Sequence, residues 1–370
     1  MPGADDMSSA THYRELARLL IFRLGSIGDF VVALPCLHFL RGRYPSAEIV
    51  LLTNAPVESR AAAASSVLQG TGLVDRFIEY RAGRYDPREV VAAARKIRAV
   101  APGRLVYLVD RPNALSVYRD YLFFRLCGIR SAVGFPFASD LRQPRLVDPS
   151  EGLYEKEAER LARSLASLGA IDCGASGSWD LVLSKTETLE ADRLVEEATP
   201  RGASGMPLIA LSIGTKQPIN DWGDANWRRV LELTAHAEMR LMLVGSREDR
   251  ERSQAVARLW RGPVLNLCGR LSPRLSAAAM RRAEILMCHD SGPMHLAAAV
   301  GTRCVAVFSN KDAPGRWYPF GRDHVVHRPR ARASGIDSIE PAAVAASVQS
   351  ALERPRQRES DCGEATRAAR

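Results

Sequence analysis

The sequence ILMCHDSGPMHLAAA, residues 285–299, passes from an apolar run through one short polar turn into a helical pattern. Its first four residues are typical of a buried strand, and its last six begin a helix that ends at Gly301, the residue type preferred just after a helix. Asp290 or Ser291 can cap that helix, and Pro293 fits its first turn. A strand that leads through such a turn into a helix predicts one unit of a parallel α/β sheet.

This turn also suits an anion. The N–H groups of a first helical turn have no helical partner, and the helix dipole adds partial positive charge at the carboxyl end of the strand. The pattern therefore predicts a diphosphate site. Gly292 leaves room for a ligand, Asp290 could accept hydrogen bonds from sugar hydroxyls, and His295 could donate to a phosphate. An ordinary capped helix gives the same pattern, and on physical grounds alone that alternative is the more frequent one.

A similar arrangement occurs near the start of the chain, in RLGSIGD, residues 23–29. An apolar run leads into a turn with two glycines, and an apolar helix follows to about Arg41. The spacing is not GxGxxG, so the dinucleotide fingerprint is not met. Asp29 either caps this helix or, if it faces a cleft, acts as a general base on an acceptor hydroxyl.

Strand and helix patterns alternate in both halves of the chain, which predicts a parallel sheet in each. The predicted strands are residues 19–24, 49–52, 76–80, 105–109, 132–135, 208–213, 241–244, 264–267, 285–288 and 304–308. The predicted helices are residues 58–68, 87–100, 114–126, one capped by Asp224 and ending near 237, one from Ser272 to 283, and a last one at 294–300. Polar loops at 172–178 and 199–206 place a domain boundary between Gly174 and Gly205. We expect domains at 17–175 and 205–350, with disordered tails at 1–16 and 353–370.

The bulk composition narrows the class of protein. A length of 370 residues suits two domains, and a charged fraction of 25% is ordinary for a globular protein. The net charge of +9 favours a polyanionic or phosphorylated partner, unless arginine is simply common in the source. No nucleic-acid module is present, so we expect no nucleic-acid partner. Seven cysteines without a CxxC pair, no signal segment and no bilayer-length apolar run predict a cytoplasmic protein.

In these two turns and the segments around them, the chain resembles the ADP-heptose:lipopolysaccharide heptosyltransferase family, glycosyltransferase family 9. The resemblance runs from about Leu19 to Gly321. It rests on residues 21–29, Pro35, residues 43–45, the donor signature at 289–299, and the aromatic-Pro-Gly segment at 317–321.

The resemblance implies a GT-B fold, in which two Rossmann-like domains face each other across a cleft. It implies an inverting transfer without a metal or other cofactor, from a nucleotide sugar such as ADP-heptose to a lipopolysaccharide core or related glycolipid. Asp29 matches the catalytic base. The donor-binding residues are assigned as Thr215, Lys216, Asp290, Ser291, Gly292, Met294 and His295, and the acceptor-binding residues as Gly25, Ser26, Arg60 and Arg111.

Two departures from the family pattern leave the donor sugar open. Asn220 stands where the family usually has a lysine, so Lys216 is expected to supply the missing charge, and His289 replaces the more usual asparagine. The alternatives are transfer of another nucleotide-linked sugar to a capsule or O-antigen precursor, and a non-catalytic nucleotide-sugar-binding protein. The aromatic-rich helix at 114–126 either packs in the core, as such patterns more often do, or touches the inner membrane surface as a peripheral contact.

Overall fold

The computed structural model describes residues 16–55, 63–81, 86–331 and 333–354. Within them the strands are β1 (Arg18–Phe22), β2 (Glu48–Asn54), β3 (Arg76–Tyr80), β4 (Arg104–Tyr107), β5 (Ala132–Val133), β6 (Leu146–Asp148), β7 (Leu153–Tyr154), β8 (Leu208–Ser212), β9 (Arg240–Leu243), β10 (Val264–Asn266), β11 (Ile285–His289), β12 (Arg303–Val307) and β13 (Val325–His327). The helices are α1 (Ile27–Val31), α2 (Leu34–Arg43), α3 (Ser65–Leu68), α4 (Pro87–Val100), α5 (Ala114–Leu126), α6 (Ser139–Arg142), α7 (Glu157–Ser164), α8 (Lys185–Ala198), α9 (Asp224–Thr234), α10 (Arg250–Val256), α11 (Pro273–Met280), α12 (Gly292–Ala299) and α13 (Pro341–Glu353).

The first sheet has the order β3-β2-β1-β4-β5, and every pair in it is parallel. Its central strand β1 is apolar on both faces, as a strand covered on both sides must be. Leu19 and Ile21 pack towards α2 on one face, while Leu20 and Phe22 pack towards α4 and α5 on the other. The crossovers therefore place helices on both faces of the sheet.

The second sheet has the order β10-β9-β8-β11-β12-β13 and is also parallel throughout. Every residue of the neighbouring strands β8 and β11 is buried. The strand order reverses beside β1 in the first sheet and beside β8 in the second. Ligands of doubly wound sheets bind at the carboxyl ends of strands at such a reversal. The doubly wound α/β class predicted from the sequence is confirmed in both halves.

Several predicted bounds shift at their ends. Of the predicted helix 58–68, residues 58–62 lie outside the described residues, and α3 begins at Ser65. Asp224 does not cap α9, because Gly223 holds the N-cap position with φ +90° and Asp224 is the first helical residue. Ser272 caps α11 as predicted, accepting a hydrogen bond from the Leu275 amide at 3.2 Å. That helix ends at Met280, before the predicted residue 283.

The prediction that the helix at 294–300 is the last one is wrong. The strand β13 and the helix α13 follow it, and α13 packs against α9 of the second domain. The predicted tail at 353–370 therefore loses Glu353 to this helix, and residues 355–370 lie outside the described part of the chain. The predicted N-terminal tail also lies outside it, except for Leu16. No helix among the described residues is both long and apolar enough to cross a bilayer.

Candidate active site

The first turn is built around Asp29. A Cβ on Gly25, which has φ +137°, would overlap the Asp29 side chain, so only glycine lets the turn close this tightly. The Asp29 carboxylate accepts a hydrogen bond from the Ser26 amide at 2.8 Å, and the Arg23 guanidinium lies 3.5 Å from its other oxygen. Asn54, at the end of β2, pairs with the Gly25 amide and carbonyl. Ser26 is thus the N-cap of α1 and Asp29, the third helical residue, is its capping-box partner, yet the Asp29 side chain remains 30% exposed.

The second turn follows β11 and leads into α12. Ser291 occupies the N-cap position, but its hydroxyl donates back to the His289 carbonyl at 3.2 Å instead of capping the helix. The side-chain capping expected from Asp290 or Ser291 is therefore not made, since α12 has no side-chain cap hydrogen bond. Pro293 has no N–H and the Met294 amide donates to the Ser291 carbonyl at 3.2 Å, so an anion at this helix N-terminus would meet the Ser291 and Gly292 amides.

The two turns touch each other across the cleft between the domains. A Cβ on Gly28 would lie 2.8 Å from the His295 ring, and one on Gly292 would lie 2.8 Å from the Ile27 Cβ. Each glycine thus admits a side chain of the opposite domain. Gly292 also lines the cavity, so the room expected there for a ligand is shared with Ile27. The contact fixes Asp29 opposite the start of α12.

A cavity of about 740 Å³ opens above this contact and is lined by both domains. Of the residues assigned from the sequence, the structure brings the following to its wall: Ser26, Asp29, Thr215, Lys216, Asp290, Ser291, Gly292 and His295. The carboxyl ends of β1, β8 and β11 supply them, so residues far apart in the sequence meet at one place.

Three other assigned residues are not on this wall. Gly25 shapes the turn behind Asp29 without lining the cavity. The Met294 side chain is fully buried, and its amide donates to the Ser291 carbonyl at 3.2 Å. Arg111 donates to the buried Asp120 carboxylate at 2.9 Å and lies outside the lining. Arg60 lies outside the described residues.

Two lysines flank the turn at the start of α12. Lys216 lies in the loop after β8, and Lys311 lies in the loop after β12, and both line the cavity. The strand order β8-β11-β12 places these loops on either side of Asp290. The Lys311 ammonium donates to the Gln217 side chain, which joins the two loops. Cations on both sides of a helix N-terminus favour an anionic group at that terminus.

The two departures from the family pattern have different structural meanings. Asn220 is buried and lines the cavity, and its side-chain oxygen accepts a hydrogen bond from the Ser309 hydroxyl at 2.6 Å. His289 is fully buried, and its Nε2 accepts hydrogen bonds from the Trp222 amide and the Trp227 indole, both at 3.1 Å. His289 therefore anchors the loop before α9 from inside the core. The expectation that it bears on the donor sugar is corrected, since His289 does not line the cavity.

Burial shifts the pKa values of two residues that line the cavity, Asp290 and His295. Burial, reinforced by the neighbouring Asp312 carboxylate, raises the pKa of Asp290 to about 7. Burial lowers the pKa of His295 to about 4, and the Lys156 charge acts in the same direction. Near neutral pH the His295 ring is therefore uncharged and offers a single N–H donor. Asp290 is poised between its protonated and ionised forms.

A buried group of charges crosses the domain boundary beside the cavity. The Glu157 carboxylate, at the start of α7, bonds to Arg160 at 2.6 Å and to Arg316 at 2.9 Å. Arg316 lines the cavity in the long loop after β12 and also bonds to Asp110, at the end of β4. Burial raises the pKa of Glu157, but Arg160, Arg316 and Arg23 outweigh it and hold that pKa at about 2. Glu157 is therefore an anion held among three arginines.

Known proteins share features of this sequence and architecture. The family model for glycosyltransferase family 9 (heptosyltransferase) matches residues 158–335. The matched segment is a glycosyltransferase family 9 domain, which makes up just under half of the chain. The protein is an enzyme that transfers a sugar from a nucleotide-linked donor, and its two doubly wound domains form a GT-B fold. A search of curated protein sequences finds no significant match.

Solved structures share the fold of this glycosyltransferase over almost its whole length. A family 9 glycosyl transferase from Veillonella parvula superposes with a TM-score of 0.70 at 19% identity, covering 91% of this chain and 97% of the other. The ADP-heptose lipopolysaccharide heptosyltransferase II of E. coli gives 0.62 at 18% identity, with 90% and 98% covered. The E. coli heptosyltransferase WaaC with ADP gives 0.60 at 19% identity, with 90% and 99% covered.

Sequence reasoning missed several residues of this glycosyltransferase's cavity. Asp110 and Lys311 follow β4 and β12, and a search of the carboxyl ends of all predicted strands would have found both. Asp249 has the same local pattern as Asp29: its carboxylate accepts from the Ser246 amide at 2.9 Å, three residues earlier, after β9. Arg316 gave no comparable signal, because its position depends on how a long loop crosses to the other domain.

Proposed function

We propose that this enzyme transfers heptose from ADP-heptose, with inversion and without a metal, to a hydroxyl of a lipopolysaccharide core or related cell-surface glycan. The observation that supports this best is the contact between the two turns. It faces Asp29 of the acceptor half towards the start of α12 in the donor half, across one cavity. An inverting displacement needs its base and its leaving-group site on opposite sides of the reacting carbon.

In the proposed reaction, Asp29 is the base. As the acceptor oxygen forms its bond to the anomeric carbon, the hydroxyl proton passes to the Asp29 carboxylate. Arg23, 3.5 Å from one carboxylate oxygen, and the Ser26 amide hold this group in place. The carboxylate is fixed by its capping bond but remains exposed to the cavity, so capping and proton transfer are compatible.

The bond that breaks joins the anomeric carbon to the donor diphosphate, which leaves with the electron pair. The first turn of α12 receives this charge, with Lys216 and Lys311 on either side. Preorganised donors and cations of this kind stabilise a leaving group without rearranging during the reaction. Asp290, when protonated, adds a donor where an ionised carboxylate would repel the diphosphate.

Two features support the expected partners. The E. coli relative solved with ADP shares the fold, which makes ADP the first nucleotide to test. The acceptor half presents Ser26 and Asp29 to the cavity and is proposed to take a glycolipid or glycan, with Gly25, Arg60 and Arg111 as further acceptor residues and with a peripheral contact to the inner membrane.

One observation favours a donor sugar other than heptose. Asn220, where the family usually has a lysine, is held by Ser309, and the nearby cation comes from a different loop through Lys311. A changed contact at the donor would suit transfer of another nucleotide-linked sugar to a capsule or O-antigen precursor. Calorimetric titration with ADP-heptose and with other nucleotide sugars separates the two; absence of ADP-heptose binding would remove heptose as the substrate.

The catalytic assignment is tested with Asp29→Asn. Transfer should be lost, while ADP affinity and the melting temperature stay close to wild type, because the amide keeps an oxygen for the Ser26 bond. Asp86→Asn is a matched control, since Asp86 caps α4 through a 2.8 Å bond to the Arg88 amide and does not line the cavity. Unchanged turnover in Asp29→Asn would favour a different base. A wild-type chain that binds nucleotide sugars but never transfers them would be a binding protein.

A further inference from the structure

One face of the first sheet is covered by α4 and α5, and the outer side of α5 is strongly apolar. On the inner side, Val117 and Phe124 of α5 pack into the core beneath. On the outer side, large apolar side chains recur at helical spacing: Leu115 is 82% exposed, Leu126 is 67% exposed, and Tyr118 and Leu122 are exposed between them. We call these four residues the α5 stripe.

The structure divides the aromatic residues that the sequence left open between core and surface. Phe124 is buried, and Tyr121 and Phe123 are half-buried. Tyr118 faces outwards, where its ring contacts that of the exposed Phe137, with centroids 5.2 Å apart. The outward-facing apolar side chains are therefore mainly leucines, with the Tyr118 and Phe137 rings at one edge, and they are not part of the core.

Arginines surround the α5 stripe. Arg119 and Arg125 lie on its two flanks, one residue after Tyr118 and one residue before Leu126, and both are exposed. The neighbouring helix α4 adds exposed arginines to the same face, namely Arg88, Arg95 and Arg98. The Arg98 side chain bonds to the Leu126 carbonyl at 2.9 Å, which joins the two helices. Between positions 87 and 130 the sequence has nine basic residues and three acidic ones, so much of the net charge of +9 lies here.

The three acidic residues of this segment offset the charge of the outer face at one arginine only. Asp120 is buried and accepts hydrogen bonds from Tyr107 at 2.8 Å, from Arg111 at 2.9 Å and from Arg119 of the outer face at 2.8 Å. Asp110 bonds to Arg316 in the cavity. Glu89 is half-buried in the first turn of α4. An apolar stripe with cations on both flanks and no outward acid on its own helix complements a surface that is apolar inside and anionic outside.

We propose that the α4–α5 face, meaning the α5 stripe with Arg88, Arg95, Arg98, Arg119 and Arg125, binds the surface of an anionic lipid bilayer. The leucines enter the boundary between headgroups and acyl chains, and the arginines contact lipid phosphates. A helix surface that binds a membrane in this way is apolar with a cationic border, as the outer side of α5 is.

The position of this face gives it a role in the proposed reaction. α5 begins four residues after Asp110, which lines the cavity. A bilayer on the α4–α5 face therefore lies near the acceptor half of the cleft and would present a membrane-held acceptor to it. This role rests on the proposed function, whereas the binding of lipid does not.

The test uses flotation of the full chain with vesicles. Phosphatidylglycerol and phosphatidylethanolamine at 30:70 supply the anionic surface, and pure phosphatidylcholine supplies a neutral one. We expect the chain to float with the anionic vesicles at low salt, to bind the neutral ones far more weakly, and to lose affinity as salt rises. Failure to bind the anionic vesicles would overturn the proposal.

Two variants probe the two parts of the face. Leu122→Glu/Leu126→Glu should lower vesicle affinity at least tenfold, whereas Leu189→Glu, at a leucine 69% exposed on α8, should not. Arg88→Glu/Arg95→Glu should lower it on the order of 20-fold, at about fivefold for each cation lost, whereas Arg258→Glu/Arg261→Glu on the second domain should have little effect. The arginine pair keeps the proposal testable if the leucine pair fails to fold.

Other outcomes are distinguishable. If wild type sediments as a dimer that Leu122→Glu/Leu126→Glu dissociates, and vesicle binding is absent, the face joins two copies of the chain and the proposal is wrong. ADP affinity, measured on the same samples, should be unchanged in all four variants. Loss of ADP binding in wild type with intact vesicle binding would contradict the proposed function alone, and the reverse result would contradict the lipid surface alone.

Discussion

At the scale of single residues, replacing Lys311 tests most directly which cation contacts the diphosphate of the donor. It reaches the cavity from the loop after β12 and bonds to Gln217 of the loop that carries Lys216. We expect Lys311→Ala to lower ADP affinity by roughly 10- to 150-fold, since one charge-assisted contact is worth on the order of 1.5–3 kcal/mol. Lys311→Arg should retain most of the affinity. Calorimetric titration with ADP measures both.

Lys185→Ala is the matched control for Lys311→Ala, because Lys185 lies in the first turn of α8 and does not line the cavity. If Lys311→Ala binds ADP like wild type while Lys216→Ala does not, the cation that replaces the family lysine is Lys216 alone, as the sequence suggested.

Asp290 predicts a pH dependence of ADP binding. Its raised pKa of about 7 means that it is protonated below pH 7 and ionised above it. A diphosphate favours the protonated form, so ADP affinity should be level from pH 6.5 to 7 and fall towards pH 8.5, by up to about tenfold per unit. The terminal phosphate of ADP, with a second pKa near 6, is already ionised there.

The difference between wild type and Asp290→Asn isolates this group, because any other titration is common to both proteins. ADP affinity of Asp290→Asn should change much less between pH 7 and 8.5. Equal pH profiles for the two proteins would mean that Asp290 does not sense the diphosphate.

At the scale of elements, the contact between α1 and α12 requires glycine, which has no side chain, at positions 28 and 292. A Cβ on Gly28 would lie 2.8 Å from the His295 ring, and the ring is buried and cannot move freely. Gly28→Ala should therefore lower the melting temperature, by an amount typical of overpacking, about 1–3 kcal/mol in the free energy of unfolding. Thermal unfolding followed by circular dichroism measures it.

Gly42→Ala is a sharp control for this prediction, because Gly42 lies in α2 with nothing within 4 Å of a Cβ. Alanine should stabilise the protein there by up to about 1 kcal/mol. His295→Ala should reduce the effect of Gly28→Ala in the double variant, since the clashing ring is removed. Equal destabilisation with and without the ring would show that the clash lies elsewhere.

Much of the element order could be predicted from local patterns. The helices at 87–100 and 114–126 and the strand at 76–80 are confirmed with their bounds, and the N-caps Asp86 and Asn113 mark the starts of the two helices locally. β13 has three half-buried residues at a sheet edge and gives almost no periodic signal. α6 and α3 are single turns that depend on their surroundings for stability.

The candidate site was predictable only in part, for a related reason. Asp29 and the start of α12 lie in turns that a local pattern marks, whereas their contact through Gly28 and His295 depends on how two domains pack. The same holds for Lys311, whose place beside Asp290 follows from the order β8-β11-β12 and not from its neighbours in sequence. Local patterns predict the elements, and the sheet order and domain packing bring the side chains together.

At the scale of the whole molecule, the segment before α7 ties the two domains together. The Tyr154 amide donates to the Pro314 carbonyl and the Glu157 amide to the Arg316 carbonyl, both at 2.8 Å. The Trp179 ring stacks on Phe320 with centroids 4.4 Å apart. The charged group of Glu157 with Arg160 and Arg316 lies beside these contacts, so the stability of the two-domain arrangement should depend on it.

We therefore expect Glu157→Gln to destabilise the protein strongly at pH 7. The folded pKa of Glu157 is about 2 and its ordinary value is 4.5, so its ionised form stabilises the folded state by on the order of 3 kcal/mol above pH 5. A lowered carboxyl pKa gives stability that is lost as pH falls. The gap between wild type and Glu157→Gln in urea unfolding should thus shrink from pH 5 towards pH 2.

Glu190→Gln serves as the control, because Glu190 pairs with Arg193 on the exposed side of α8, where solvent screens the ion pair and it contributes little to stability. A gap for Glu157→Gln that stays constant down to pH 2 would mean that lost packing, and not lost charge, destabilises the variant. Arg316 joins the two domains through Glu157 and Asp110, and it also lines the cavity. If the charge of Glu157 is responsible for the stability, Arg316→Met should destabilise the protein and weaken ADP binding as well.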